Sequence, residues 1–135
     1  MKSDFSYGAI EKLKSRKLLE QVFTKGRSFS VFPLKVFYIL VDEPLNFPLK
    51  TGVGVSSRNF KKATDRNRIK RLLREAYRLN KRDLLQKITD EEKQVAVFIL
   101  YIDKTLPSLA IVQQKMMVAL DKLANQVSEK NISNT

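Results

Sequence analysis

Apolar positions recur along this chain with two spacings, one near 3.6 residues and one near two, and each change of spacing marks an element. Residues 1–14 are polar and mixed in charge, with Phe5, Tyr7 and Ile10 as scattered apolar points, and read as a loosely ordered arm. Ser15 is suited to cap a helix running to about Lys25, whose apolar stripe is Leu18, Leu19, Val22 and Phe23, with Gly26 just past its end. From Phe29 to Val41 the chain is rich in β-branched and aromatic residues and reads as a strand, with Pro33 at a start, edge or bend. Alternation puts Leu34, Val36, Tyr38 and Leu40 on one face and Lys35, Phe37, Ile39 and Val41 on the other. Both faces are mostly apolar, so a helix is expected over part of each.

Residues 42–49, with Pro44 and Pro48, form a loop, and Thr51 to Ser57 a short strand containing Gly52 and Gly54. A basic connector, Arg58 to Thr64, leads with Thr64 or Asp65 as cap into a helix from Arg66 to about Arg82. Residues 83–94 read as a charged connection. Val95 to Ile102 is a near-continuous apolar run of strand length, expected as a central strand covered on both faces. Pro107 opens a last helix whose buried stripe is Leu109, Val112, Met116, Ala119, Leu120, Leu123 and Val127, and the polar tail from Ser128 is expected to fray. The order α-β-β-α-β-α predicts an α+β fold, a two-layer α/β sandwich around a small mixed sheet. One domain is expected over 1–135, with its core at about 11–127, a flexible arm at 1–10 and a tail at 128–135.

The helix from Arg66 has two unlike arcs. Ile69, Leu72, Leu73, Ala76, Tyr77 and Leu79 share one, while Arg68, Lys70, Arg71, Arg74, Arg78, Lys81 and Arg82, with Asn67, share the other. Charge then changes the picture. The chain carries a formal +12, and Arg58 to Arg82 holds eleven basic residues against only Asp65 and Glu75, so most of the excess sits in one stretch. Arg66, Lys70, Arg74, Arg78 and Arg82 form an i,i+4 ladder of like charge, whose four repulsive neighbours cost about 1–2 kcal/mol in isolation. A partner that neutralises them is the economical explanation. Nucleic acid comes first, since guanidinium groups match phosphate oxygens in pairs, and an anionic membrane surface second. The membrane reading is the weaker, because this helix's apolar stripe is needed in the core. A leucine zipper fails, since sevens counted from Leu72 reach Leu79, Gln86 and Lys93.

Other chemistry is sparse. With no cysteine and no histidine, thiolate sites and the commonest general base and metal ligand are gone. Asp90-Glu91-Glu92 reads as a solvated turn, Asp65 as a helix cap, Met116 and Met117 as core and flank. Thr51-Gly-Val-Gly-Val lacks the spacing and ending of a phosphate loop. No catalytic constellation and no protein metal site are expected. Neither a membrane span nor a signal peptide is evident, and the cytoplasm is the expected setting.

Two stretches carry a resemblance. Gly-Val-Gly-Val-Ser-Ser-Arg-Asn-Phe-Lys-Lys-Ala (52–63) and Asp-Arg-Asn-Arg-Ile-Lys-Arg-Leu-Leu-Arg-Glu-Ala-Tyr-Arg (65–78) closely resemble the bacterial ribonuclease P protein subunit. The resemblance spans about residues 11–127, and Leu13-Lys14, Leu19, Val22, Phe23 and Gly26 follow the family's first helix. It implies that the catalyst is a large RNA using bound Mg²⁺, which the protein assists in removing the 5′ leader from precursor tRNA. Neither a membrane nor DNA is expected as partner. It implies RNA-subunit contacts at Arg66, Asn67, Arg68, Lys70, Arg71 and Arg74, to which the neighbouring Arg78, Arg58, Lys61 and Lys62 are added. It implies a leader-binding cleft at Leu19, Phe23 and Phe37, with Tyr38 adjacent; the family often has Phe at the first position and Tyr at the third. Lys35 shares a strand face with Phe37, and an aromatic beside a cation suits a single strand. A left-handed crossover through the Arg-Asn-Arg helix is implied too, against the right-handed rule. A general nucleic-acid-binding or ribosome-associated module is the alternative.

Overall fold

The structure, a computed structural model, describes residues 7–128; Phe5 in the expected arm and the expected tail beyond Ser128 lie outside the described residues. Helix α1 (Arg16–Lys25) starts where Ser15 Oγ accepts a hydrogen bond from Leu18 N at 3.2 Å. It ends at Gly26, whose φ of −78° any residue could adopt. Glycine is required there by space, because a Cβ would stand 2.4 Å from the Val22 carbonyl oxygen and 2.5 Å from that of Tyr38.

The expected strand at 29–41 is two strands. β1 (Arg27–Val31) and β2 (Leu34–Leu40) pair antiparallel, from Arg27 opposite Tyr38 to Val31 opposite Leu34, around Phe32 and Pro33. Nothing in that turn resembles the usual Asn-Gly or Asp-Gly hairpin signal, so the apolar pattern runs through it unbroken. β3 (Leu49–Val55) follows the loop. Helix α2 runs Ala63–Asn80 with Lys62 at its N-cap position, three residues earlier than expected, so Asp65 lies inside its first turn rather than capping it. The expected charged connection is largely helix α3 (Arg82–Asp90), hidden in the sequence because only Leu84 and Ile88 of its nine residues are buried. β4 (Val95–Tyr101) and α4 (Leu109–Ser128) complete the order. Ser108 Oγ accepts from Ile111 N at 3.3 Å at the start of α4. Leu109, expected in the buried stripe, is 39 % exposed, while Val112, Met116, Ala119, Leu120, Leu123 and Val127 are buried.

The sheet order is β1-β2-β4-β3, with β2 and β4 antiparallel and β3 and β4 parallel, so the fold is α+β around a mixed sheet as expected. β4 is interior, and the connection from β3 to β4 passes through α2 and α3. Leu34, Val36 and Tyr38 of β2 and Val97 and Ile99 of β4 face Ile69, Leu73 and Tyr77 of α2 and Met116 and Leu123 of α4 across one core. Phe37 and Phe98 face the other way, where α1 lays Phe23 against them. Burial of Ile69, Leu73 and Tyr77, at about 1.5–3 kcal/mol each, outweighs the charge repulsion along α2. The helix therefore stands without a partner, and its outward charge is left for one.

Residues 7–13 are not a loose arm. Leu13 N donates to Thr51 O at 3.1 Å, and the Tyr7 hydroxyl donates to the same oxygen, covering part of the β3 edge. The Tyr7 ring meets Tyr77 edge-on at 5.2 Å, and Thr51 Oγ1 donates to the Tyr77 hydroxyl at 2.8 Å. Burial, opposed by the Arg74 charge, pushes the Tyr7 phenol up to about 12, so it remains a neutral donor. After a 3₁₀ turn at Ala9–Glu11, the Glu11 carboxylate pairs with the Lys81 ammonium inside the protein.

Candidate nucleic-acid interface

The outward arc of α2 exposes Asn67, Arg68, Arg71 and Arg74, with Lys70 half-buried between them; Arg58, Lys61 and Lys62 are exposed on the approach to the helix. Two rungs of the ladder are committed elsewhere. Arg66 Nη1 donates to the carbonyl oxygens of Phe60 and Lys61, both at 2.8 Å, so this side chain folds back to brace the basic connector. Arg78 grips Glu75 with Nη2 on Oε2 at 2.7 Å and Nε on Oε1 at 3.2 Å. That hydrogen bonding holds the Glu75 carboxyl below its usual range. The i,i+3 spacing of this pair was present in the sequence and gave the available signal. Lys81, placed on the cationic arc by the helical wheel, is 2 % exposed and turned inward to Glu11, because α2 ends at Asn80 and the chain bends into α3. What α2 offers a partner is thus a cluster of four cations, Arg68, Lys70, Arg71 and Arg74, continued by the connector.

The second surface lies on the opposite face of the sheet. Phe23 is 44 % exposed, with its ring edge-on to Phe37 at 4.9 Å and to Phe98 at 5.1 Å, and Lys35 Nζ sits 5.2 Å from the Phe37 ring centre. This is an open aromatic cleft with a cation at its side, not a sealed core. Leu19 lies one turn before Phe23 on α1 and is half-buried. Tyr38, read as adjacent to the cleft, points into the core instead, donating to Gln126 Oε1 at 2.7 Å and lying near Phe29. Strand alternation separates it from Phe37.

Phe98 is the cleft residue that the sequence reading missed. Its ring lies over Gly52 and Gly54, where a Cβ would come within 3.1 and 2.5 Å of it. The pairing of Phe98 with Phe37 and Gly52 depends on a register that the apolar run from Val95 to Ile102 does not reveal. The available signal was the Gly-Val-Gly strand itself, which leaves one sheet face bare for a neighbouring ring.

Among the described residues no group of three or more acidic, histidine or cysteine side chains could hold a metal ion, and no helix is long and apolar enough to cross a membrane. The Asp90-Glu91-Glu92 turn is engaged within the protein: Asp90 accepts from Gln86, and Glu91 accepts from Ser128 and pairs with Lys93.

The sequence model of the family described as Ribonuclease P matches residues 9–124. The ribonuclease P protein component of Porphyromonas gingivalis is 32 % identical over 130 residues, covering 96 % of this chain and 95 % of that protein. That of Chlorobium phaeobacteroides is 32 % identical over 117 residues, 78 % of this chain and 80 % of the relative. Among solved structures, the RNase P protein from Thermotoga maritima superposes with a TM-score of 0.64 at 22 % identity, covering 83 % of this chain and 96 % of that one. A Staphylococcus aureus RNase P protein does so with a TM-score of 0.62 at 17 % identity, covering 88 % and 95 %.

Proposed function

Because the chain belongs to the ribonuclease P protein family, we propose that it is the single-domain protein subunit of a cytoplasmic ribonucleoprotein that removes the 5′ leader from precursor tRNA. In this reading Asn67, Arg68, Lys70, Arg71 and Arg74 of α2, with Arg58, Lys61 and Lys62, hold the catalytic RNA. Arg66 contributes by bracing the connector, and Arg78 stands beside them, held by Glu75. Phe23, Phe37 and Phe98, flanked by Leu19 and Lys35, take the single-stranded leader by stacking and charge. Bond breaking would belong to the RNA, and Mg²⁺ held by that RNA, not by this chain, would supply charge stabilisation there. This chain's side chains dock and orient.

The observation that carries the reading is the placement of the two surfaces on opposite sides of one sheet. The exposed cations point away from the core beneath α2, and the aromatic cleft opens under α1. One small protein can then touch a folded RNA and a separate single strand at once. Reconstituted with its cognate RNA at low Mg²⁺, the protein is expected to accelerate precursor tRNA cleavage; equal rates with and without it would end the proposal. Phe37→Ala is expected to cost about 1–3 kcal/mol of leader stacking, a loss of about 5- to 150-fold in precursor affinity. Affinity for mature tRNA and for the RNA subunit should not change. An unaltered precursor preference would return Phe37 to a packing role.

A further inference from the structure

One exposed aromatic side chain belongs to neither of the two surfaces. Phe32, at the turn between β1 and β2, is 61 % exposed, more than any other large apolar side chain among the described residues. Leu34 to Phe37 is three residues of strand, about 10 Å, so Phe32, beyond the turn, is out of stacking reach of the cleft rings. A ring so exposed adds little to the core, and small polar residues serve a turn at least as well.

The end of the sheet where Phe32 stands is tied together from three segments. Ile102 N donates to Pro33 O at 2.9 Å, which sets the loop leaving β4 against the turn. Asn59 Nδ2 donates to the carbonyl oxygens of Ile102 at 3.3 Å and Asp103 at 3.4 Å, which adds the basic connector. The Tyr101 hydroxyl donates to Thr105 O at 2.6 Å and folds the loop back. Arg58 and Lys104 are exposed on this frame. The Asp103 carboxylate is turned onto its own loop, accepting from Lys104 N at 2.7 Å and Thr105 Oγ1 at 3.1 Å. An exposed ring on a fixed backbone, flanked by cations, matches a nucleotide, whose base stacks while its phosphates meet the charges. An apolar side chain of a protein partner would use the ring and leave both cations unmatched.

We infer that Phe32 stacks on an unpaired nucleobase of the catalytic RNA, with Arg58 and Lys104 on the phosphates beside it. The connector joins this end of the sheet to the cations of α2, so the base belongs to the molecule docked there rather than to the strand in the cleft. This rests on the reading of α2 as the face that holds the RNA, and it extends that face around the end of the sheet.

Binding of the full chain to its cognate RNA subunit, with no tRNA present, is to be measured at roughly 50 and 200 mM salt. Phe32→Ala should weaken binding about 5- to 150-fold, by the same factor at both concentrations, since an uncharged contact releases no counterions. Lys104→Gln should instead flatten the salt slope by about one charge. Phe32→Tyr should keep affinity within about twofold, whereas Phe32→Leu should lose most of what Phe32→Ala loses, because only a ring stacks. Tyr and Leu are both bulky, so their comparison stands whether or not Ala disturbs the turn.

Full affinity in Phe32→Ala, a Leu variant as good as the Tyr variant, or a salt slope unmoved by Lys104→Gln would each overturn the assignment. So would a loss seen only when precursor tRNA is added, which would give the base to the substrate. A dimer of the free chain that Phe32→Ala disperses in sedimentation would give the ring to a second copy and overturn it too. Failure of the underlying docking reading looks different: Arg68, Arg71 and Arg74 could then be replaced together without weakening RNA binding.

Discussion

Replacing Arg68, Arg71 and Arg74 together by Gln is expected to weaken binding of the catalytic RNA by about 10³-fold. These side chains are exposed on one arc of α2. A charge-assisted hydrogen bond contributes about 1.5 kcal/mol at the low end of its range, and three such contacts reach about three powers of ten. The salt response gives an independent reading. If the whole face neutralises about six phosphates, affinity should fall roughly 10³-fold between 50 and 200 mM salt, and the triple variant should flatten that slope by about three charges. Arg78→Gln should cost less than about tenfold, because its guanidinium is already held by Glu75. A flat salt response, or an Arg78 effect as large as that of the triple variant, would refute the division of labour along this helix.

The largest expected loss of stability comes from a residue that touches no RNA in this reading. Lys81→Met leaves the Glu11 carboxylate buried and, among the described residues, with the Gly8 N–H at 3.2 Å as its remaining hydrogen-bond donor. Breaking a buried pair in this way costs about 3–5 kcal/mol, a large part of the roughly 5–15 kcal/mol that holds a domain of this size. Urea unfolding of the single variant and of Glu11→Leu/Lys81→Met measures it. The double variant should recover most of the loss, since two apolar side chains can replace a buried ion pair at little net cost. A loss below about 1 kcal/mol, or a double variant worse than the single, would show that the pair is not shielded as its burial implies.

Legibility from sequence followed how local each determinant is. α2 and β4 were readable because long apolar patterns of fixed period leave few alternatives; the inward arc of α2, Ile69 to Tyr77, was assigned correctly from spacing alone. The β1–β2 hairpin was not, because Phe32 and Pro33 give no standard turn signal. α3 was hidden by its few buried positions. The Glu11–Lys81 pair joins two polar stretches 70 residues apart, and no periodicity connects them. In the cleft, Phe23, Phe37 and Lys35 were nameable from the resemblance and from alternation along β2, whereas Phe98 needed the pairing of β4 with both its neighbours. Arg66 and Lys81 show the limit of a helical wheel. It ranks directions around an axis, but it does not know where the helix ends or which side chains curl back onto their own loop.

In β2, successive residues serve opposite purposes: Val36 and Tyr38 belong to the core, Lys35 and Phe37 to the cleft. That arrangement gives the strand a parity. Deleting or inserting a single residue within it would send Phe37 into the packed interior and bring a core residue out onto the cleft face, spoiling both faces in one step. Two-residue changes keep odd with odd and even with even. Length variation among relatives should therefore fall in the loop from Val41 to Pro48 and be missing, or come in pairs, between Leu34 and Leu40.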